Sequence, residues 1–299
     1  MRILITGAAG DFGRDLAPWL AAHHDVRVTD ARPVETDLEF VQADLCDRDS
    51  LTGLCDDVEA VIHLAALLPK DQYRTNAYFE ANAAAVALLA EEALRAEVQR
   101  LIYISTVWAT GHGIEEGTFM INEATPPTPV CMYGLTKYLG EVTAEYYSRK
   151  HKLSVTVLRA CGYLRHPDFD ASGQADWPTA DLASIAGRFT NPAAKLFNPA
   201  DLGHLLENAL RRPQTGFERF LIGLSLPFTA ADAELCRHEP AAAWDKYYPG
   251  AADCFAGLGF EPPSFTHTYD NRRSRDELGF AMRYTLQDVI NEWQRRQSQ

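Results

Sequence analysis

Positive charge is scarce in this chain: 28 Lys and Arg stand against 41 Asp and Glu over 299 residues, a formal net charge of −13. Such a balance, with a pI near 5.1, argues against nucleic acid or an anionic membrane as partner, because both repel an acidic surface. No apolar run reaches the roughly 18 residues that a helical membrane span needs, and the first strand is expected from residue 2, which leaves no room for a secretory leader. Six cysteines, at positions 46, 55, 131, 161, 236 and 254, form no Cys-x-x-Cys pair and interleave with no histidine at ligand spacing. They read as reduced thiols of a cytoplasmic protein, with no structural metal. Repeats, low-complexity tracts and a long dividing linker are also missing. What remains, 46% hydrophobic and 23% charged residues, is the composition of an ordinary globular protein long enough to bury a large core.

The N-terminus passes from an apolar run, Arg2 to Thr6, directly into Gly7-Ala8-Ala9-Gly10-Asp11-Phe12-Gly13, and Leu16, Trp19 and Leu20 follow at helical spacing. Strand, tight turn and helix in that order make a site for a pyrophosphate: glycines admit the backbone closely, and the helix N-terminus faces the negative charge. Val26 to Asp30 reads as a second strand ending in a carboxylate 23 residues beyond Gly7, where such folds place the acid that accepts from the adenosine ribose hydroxyls. An acid there repels a 2′-phosphate and points to NAD; Arg32 nearby leaves NADP open. Asp44-Leu45 follows the alternating run 38–43, His63-Leu64-Ala65-Ala66 closes the strand at 60–62, and residues 101–106 form a fifth strand ending in Ser105-Thr106. Strands separated by helical stretches such as 78–96 predict an α/β fold with a parallel sheet and helices on both faces. Gly7, Asp30, Asp44, Ala65 and Thr106 then share the rim at the strands' carboxyl ends, where ligands of open sheets sit. Tyr133-Gly-Leu-Thr-Lys137, just after Pro126-Pro127-Thr128-Pro129, sets a phenol and an ammonium on one helix face.

Taken together, the Gly7 to Gly13 loop, Asp30, Asp44-Leu45, His63 to Ala66, Asn82, Ser105-Thr106, Tyr133 to Lys137, Asp201-Leu202 and Glu277 to Phe280 resemble the extended short-chain dehydrogenase/reductase family of nicotinamide-dependent epimerases, dehydratases and dehydrogenases. The resemblance implies a Rossmann-like, doubly wound sheet: an NAD-binding domain over residues 1–160, and a small, mainly substrate-binding lobe over 161–299 that exchanges chain with the sheet. It implies Tyr133 as the acid or base that moves a proton while hydride moves between substrate carbon and nicotinamide. Lys137 would favour phenolate and hold the nicotinamide ribose. In relatives the catalytic hydroxyl lies five residues before a glycine, which from Gly111 selects Thr106 over Ser105. Asn82 helps position the lysine, while His63 reads as packed rather than catalytic. The cofactor residues are then Gly7, Gly10, Asp11, Phe12, Gly13, Asp30, Arg32, Asp44, Leu45, Leu64, Ala65, Ala66, Asn82, Tyr133 and Lys137. A homodimer through helices near 82–96 and 136–147 is implied as well.

Substrate signals are thinner. Dehydratases of the family carry Asp-Glu after the catalytic threonine, where this chain has Val107-Trp108, so dehydration is disfavoured. The diphosphate contacts of nucleotide-sugar epimerases fall here on Gly162 and Ala194, with Arg159, Arg165 and Lys195 as the nearby cations. The compact sugar-acid dehydrogenases such as the uronate dehydrogenases have a similarly short C-terminal part, but polar Asn-His in place of Val107-Trp108. Leu67, Val107, Trp108, Tyr163 and Arg165 are therefore the candidate substrate contacts, facing a small molecule with an alcohol or carbonyl beside an apolar portion or a sugar face. Residues 166–178 read as a lid or surface loop. An NAD-dependent dehydrogenase leads; an epimerase that keeps its NAD, and a non-catalytic dinucleotide sensor, are the alternatives.

Overall fold

A computed structural model of the chain describes residues 1–69, 75–113, 118–161, 180–190, 199–214, 216–223, 226–282 and 284–299. Its first elements are β1 (Arg2–Thr6), α1 (Asp11–Ala21), β2 (Asp25–Asp30), β3 (Glu39–Gln42), β4 (Ala60–His63), α2 (Thr75–Phe79), a π-turn segment (Glu80–Ala84), α3 (Ala85–Arg95) and β5 (Arg100–Thr106). After a 3-10 segment (Val107–Gly113) come β6 (Met120–Ile121), α4 (Met132–His151), β7 (Ser154–Ala160), α5 (Leu182–Ala186), α6 (Pro199–Arg211) and β8 (Phe217–Ile222). The chain ends with α7 (Ala233–His238), α8 (Pro240–Tyr247), α9 (Ala251–Gly257), β9 (Thr268–Tyr269), α10 (Arg272–Leu278) and α11 (Leu286–Gln297).

Seven strands form one sheet in the order β3-β2-β1-β4-β5-β7-β8, and every registered pair from β3 to β7 is parallel. The central strands are buried on both faces, which is why they read as continuous runs such as Ile3-Leu4-Ile5 and Leu101-Ile102-Tyr103-Ile104 instead of alternating. On one face Leu4, Val61, Leu101, Tyr103, Val155 and Val157 pack with Val86 and Leu89 of α3 and Ala144 of α4. Each such Leu or Val removed from water contributes about 1.5–3 kcal/mol. On the other face α1 meets α6: a Cβ on Gly203 would lie 2.5 Å from the Trp19 ring, and His24 Nε2 pairs with Glu207 Oε1 at 2.6 Å. The strand order reverses between β1 and β4, and at such a switch point the loops leaving neighbouring strands part and open a crevice.

The chain divides into two compact units, the first comprising Met1–Gly111, Pro126–Ala160 and Leu202–Phe220, the second His112–Thr125, Cys161–Asp201 and Leu221–Gln299. In the second, β6 and β9 pair in parallel, Met120 with Thr268 and Ile121 with Tyr269. Around fully buried Trp244 the rings of Phe228, Phe255 and Phe265 meet it edge-on, at 5.0, 5.3 and 5.6 Å between centroids. Residues 226–282 carry four short helices. Helices of six to eight residues are too short to display an apolar stripe, and this aromatic cluster holds α7, α8 and α9.

Candidate active site

The loop after β1 is built on close approach. Gly7 has φ +79, and a Cβ there would lie 2.7 Å from the Ala65 backbone N, while one on Gly13 would lie 2.6 Å from Ala8 Cα and closer still to the Gly7 carbonyl. The first and third glycines are thus demanded by the packing of the β1 loop against α1 and the β4 loop. Gly10, with its only close neighbour at 3.2 Å, leaves the turn open toward α1, whose first turn holds Asp11 and half-buried Phe12. Asp30 Oδ2 accepts from the Ala9 N–H at 2.9 Å, and Oδ1 accepts from the N–H and Nε of Arg32 at 3.0 and 3.3 Å. The β2 carboxylate is therefore tied to the glycine loop. Asp44 is exposed and caps its own turn through the Cys46 N–H at 2.9 Å, whereas Leu45 is buried in the core. Thr6 Oγ1 bridges the two loops, accepting from the Ala65 N–H at 3.2 Å and meeting His63 Nδ1 at 2.7 Å. His63 is fully buried, stacked on Tyr103 at 5.4 Å, and its pKa is driven down to about 3 by burial and by Lys137. Leu64, Ala65 and Ala66 remain partly accessible along this rim.

β5 and α4 bring the proton-transfer candidates together. The Thr106 hydroxyl lies near enough to the Tyr133 phenol to lower its pKa, and its Oγ1 accepts from the Trp108 N–H at 3.2 Å. Ser105 points elsewhere: its hydroxyl donates to Glu141 Oε1 at 2.5 Å. Strand alternation separates the two hydroxyls, one toward the phenol and one into a buried ion cluster. Glu141 also accepts from Arg159 Nη2 at 2.7 Å and from Arg219 Nε at 2.8 Å. The Tyr133 pKa is raised to about 12, mostly by burial, with the Thr106 hydroxyl pulling the other way. The sequence reading had Lys137 sharpening this phenol. In the structure the Lys137 Nζ sits 4.2 Å from the Tyr103 ring centroid. That ammonium is buried with no hydrogen-bond partner, and burial lowers its pKa to about 7 against the opposing effect of Glu141.

Asn82 also differs from expectation. Fully buried in the π-turn segment, it accepts from the Leu67 N–H at 2.7 Å and donates to the Leu67 carbonyl at 3.1 Å and to Thr136 Oγ1 at 3.2 Å. It clasps the backbone after β4 and touches the helix one residue before the lysine. Among the substrate candidates, Val107 is fully buried core, not pocket floor, whereas Trp108 is partly accessible and stands edge-to-face on Tyr133, centroids 6.1 Å apart. Leu67 is partly accessible. Tyr163, Arg165, Gly162, Ala194, Lys195 and the 166–178 loop lie outside the described residues. Sequence reasoning missed Tyr103 and Glu141. The last was legible in principle, since Tyr133, Lys137 and Glu141 fall at i, i+4 and i+8 of one helix row.

These residues fit a nicotinamide dinucleotide. A glycine cradle admits a pyrophosphate, a carboxylate stands at the end of β2, and a buried ammonium without a partner awaits hydroxyl acceptors beside the phenol. No cluster of His, Cys, Asp or Glu suited to a metal occurs among the described residues.

Comparison with known proteins agrees. Residues 3–169 match the NAD dependent epimerase/dehydratase family. Over 177 residues, 56% of this chain and 68% of the relative, the sequence is 33% identical to the L-arabinose 1-dehydrogenase (NAD(P)(+)) of Haloferax volcanii. It is 28% identical over 220 residues to the uronate dehydrogenase of Pseudomonas syringae pv. tomato, covering 72% of this chain and 71% of that one. Among solved structures, a short-chain dehydrogenase/reductase superfamily protein from Agrobacterium tumefaciens with bound NAD covers 100% of this chain and 98% of its own, with TM-score 0.69 and 24% identity. A UDP-glucose 4-epimerase from Thermotoga maritima superposes with TM-score 0.67 at 19% identity, over 100% of both chains. At these identities the structures speak to the fold. The chain belongs to the NAD dependent epimerase/dehydratase family, the extended short-chain dehydrogenase/reductases, and is an NAD-dependent enzyme.

Proposed function

We propose that this enzyme is an NAD-dependent dehydrogenase that moves hydride between the nicotinamide and an alcohol or carbonyl carbon of a sugar or sugar acid, with Tyr133 as acid and base. The observation that carries the reading is the placement of the Thr106 hydroxyl beside the Tyr133 phenol, close enough to draw its pKa down, on the helix that also holds buried Lys137. When bound, NAD supplies the hydride acceptor. The chain's residues do the rest. Thr106 orients the reacting oxygen beside the phenol, and Tyr133 takes the hydroxyl proton as the carbonyl forms, or returns it in reduction. Lys137 holds ribose hydroxyls, which give its buried ammonium the acceptors that the protein does not. With its pKa raised to about 12 by burial, Tyr133 is protonated at neutral pH and ready to donate in the reduction direction. Oxidation needs phenolate, so its rate is expected to climb as pH rises from 7 toward 10. Asp30 at the end of β2, tied to the glycine loop, would accept from the adenosine ribose.

The dehydrogenase names of the sequence relatives and the Val107-Trp108 pair after Thr106 support a dehydrogenase over a dehydratase. In this reading residues 161–299 mainly carry the substrate-binding lobe. A homodimer through α3 and α4 fits the exposed Val142 and Tyr146. Cytoplasmic residence fits six cysteines that form no disulfide, and no described helix is long and apolar enough to cross a membrane. The test is a screen of aldoses, sugar acids, nucleotide sugars and simple alcohols with NAD, following the absorbance of reduced nicotinamide, in the wild type and in Tyr133→Phe. Net reduction that Tyr133→Phe lowers by about 10²–10⁴-fold, with NAD affinity within a few fold, is the expected result. Sugar interconversion without net reduction would instead make it an epimerase, and unimpaired turnover in the variant would move the acid-base role to another group.

A further inference from the structure

Trp108 is held more firmly than a loop residue needs to be. It lies two residues beyond Thr106, in the 3-10 segment that leaves β5 at the carboxyl rim. Its N–H donates to the oxygen of Thr106, 3.2 Å away. Its carbonyl seats against the first turn of α4, where a side chain on Gly134 would come within 2.5 Å of that oxygen. The indole in turn stands on the Tyr133 ring, the planes at 81°. Backbone donor and ring are therefore referenced to the two residues that handle the proton, and the carbonyl to the glycine that follows Tyr133. The neighbour Val107 is wholly buried, its carbonyl capped by Thr110 Oγ1 at 2.6 Å, and anchors the segment from beneath. Trp108 itself stays partly accessible. A rigid, half-open aromatic plate fixed against a proton-transfer pair is a binding surface for the one part of a sugar that is apolar, the face where ring C–H bonds project. It offers little to a short linear alcohol, which has no such face.

We infer that Trp108 is the stacking platform for a furanose or pyranose ring, so that the substrate is a cyclic sugar or sugar acid oxidised at a ring hydroxyl held beside Tyr133. The inference rests on the dehydrogenase reading and narrows it. In the reaction the ring C–H bond breaks, its electron pair reduces the nicotinamide, and the hydroxyl proton passes to Tyr133, leaving a carbonyl on the ring. An anomeric hydroxyl would give a lactone by the same balance.

The test compares Trp108→Phe and Trp108→Ala with the wild type in steady-state kinetics on free aldoses, uronic acids, nucleotide sugars and linear secondary alcohols, with NAD affinity measured calorimetrically on each protein. Expected are a rise in KM for ring substrates of about tenfold in Trp108→Ala, retention within about threefold in Trp108→Phe, and unchanged NAD affinity. Any change in KM for linear alcohols should be several-fold smaller than that for ring substrates. The preferred ring class identifies whether the sugar arrives free or attached to a nucleotide. If the wild type oxidises ring sugars and Trp108→Ala leaves their KM unchanged, or raises KM for linear alcohols equally, the platform is refuted while the dehydrogenase reading stands. If only linear alcohols are oxidised, the platform is refuted as well. If nothing in the screen reduces NAD, the dehydrogenase reading itself falls and takes the platform with it.

Discussion

Replacing Lys137 by Met should make the protein more stable while destroying its activity. The ammonium is fully buried over the Tyr103 ring with no hydrogen-bond partner, and burial has pulled its pKa from 10.5 to about 7. At pH 7 an unfolded lysine is charged whereas the folded one is roughly half neutral. At about 1.4 kcal/mol per decade, that difference costs the fold about 4 kcal/mol. The ring contact returns about 1–2 kcal/mol, leaving about 2–3 kcal/mol to be gained by a side chain of similar length without charge. The sign with pH follows from a folded pKa below the unfolded one. The penalty is fully present below about pH 7 and disappears as pH rises through 10.5, where the unfolded lysine also loses its proton. Urea unfolding of wild type and Lys137→Met at pH 7, 8, 9 and 10, without added dinucleotide, reads the difference directly. A higher midpoint for the variant at pH 7, converging with wild type at pH 10, is expected, together with turnover reduced by orders of magnitude. A variant less stable at pH 7, or a gap that does not change with pH, would refute the account of Lys137 as a strained cation held for function.

Two further contrasts separate neighbouring residues of the same type. Gly13→Ala should lose about 2–4 kcal/mol of stability, because its new methyl meets backbone of Gly7 and Ala8, whereas Gly10→Ala should unfold within about 1 kcal/mol of wild type in the same denaturant titration. Thr106→Val should lower kcat by about 10²-fold or more at nearly unchanged melting temperature. Ser105→Ala, which takes a donor from buried Glu141, should do the reverse and cost about 1–3 kcal/mol of stability; kinetics and thermal melts on the pair decide it.

The β1–α1–β2 unit was legible because its constraints are local: glycines at 7 and 13 and an acid at 30 follow from one close-packed turn. The choice of Thr106 over Ser105 came from the family's spacing, and the structure supplies the physical reason in the opposite sides of β5 to which consecutive residues point. Lys137 was found, but its surroundings were not, since Tyr103 and His63 reach it from strands that nothing nearby in sequence links to α4. Arg219 was equally invisible, because it joins Glu141 from 78 residues away. Val107 was misread through its adjacency to Trp108; alternation after a strand end is lost once the chain turns into a 3-10 segment, and only the fold decides which of two apolar neighbours goes inward. The aromatic core of the second unit was illegible for the reason its helices were: no single element there carries enough apolar residues to announce itself.

Asn82 reaches Leu67 from a wide π-turn, Glu80–Ala84, which takes one residue more than an α-turn to complete the same rotation. Each residue of ordinary helix advances the winding by about 100°. Removing Ala83 or Ala84 would let the segment close to ordinary α-winding with the helix on either side still in phase, so that the Tyr78 hydroxyl keeps its 2.9 Å contact with the Leu68 carbonyl while the amide at 82 is drawn off Leu67. Most surface helices absorb a changed side chain and a changed length with similar ease. This one is set by its length: exposed Ala84 tolerates a new side chain, whereas a single deletion at the wide turn releases the backbone beside the cofactor loop.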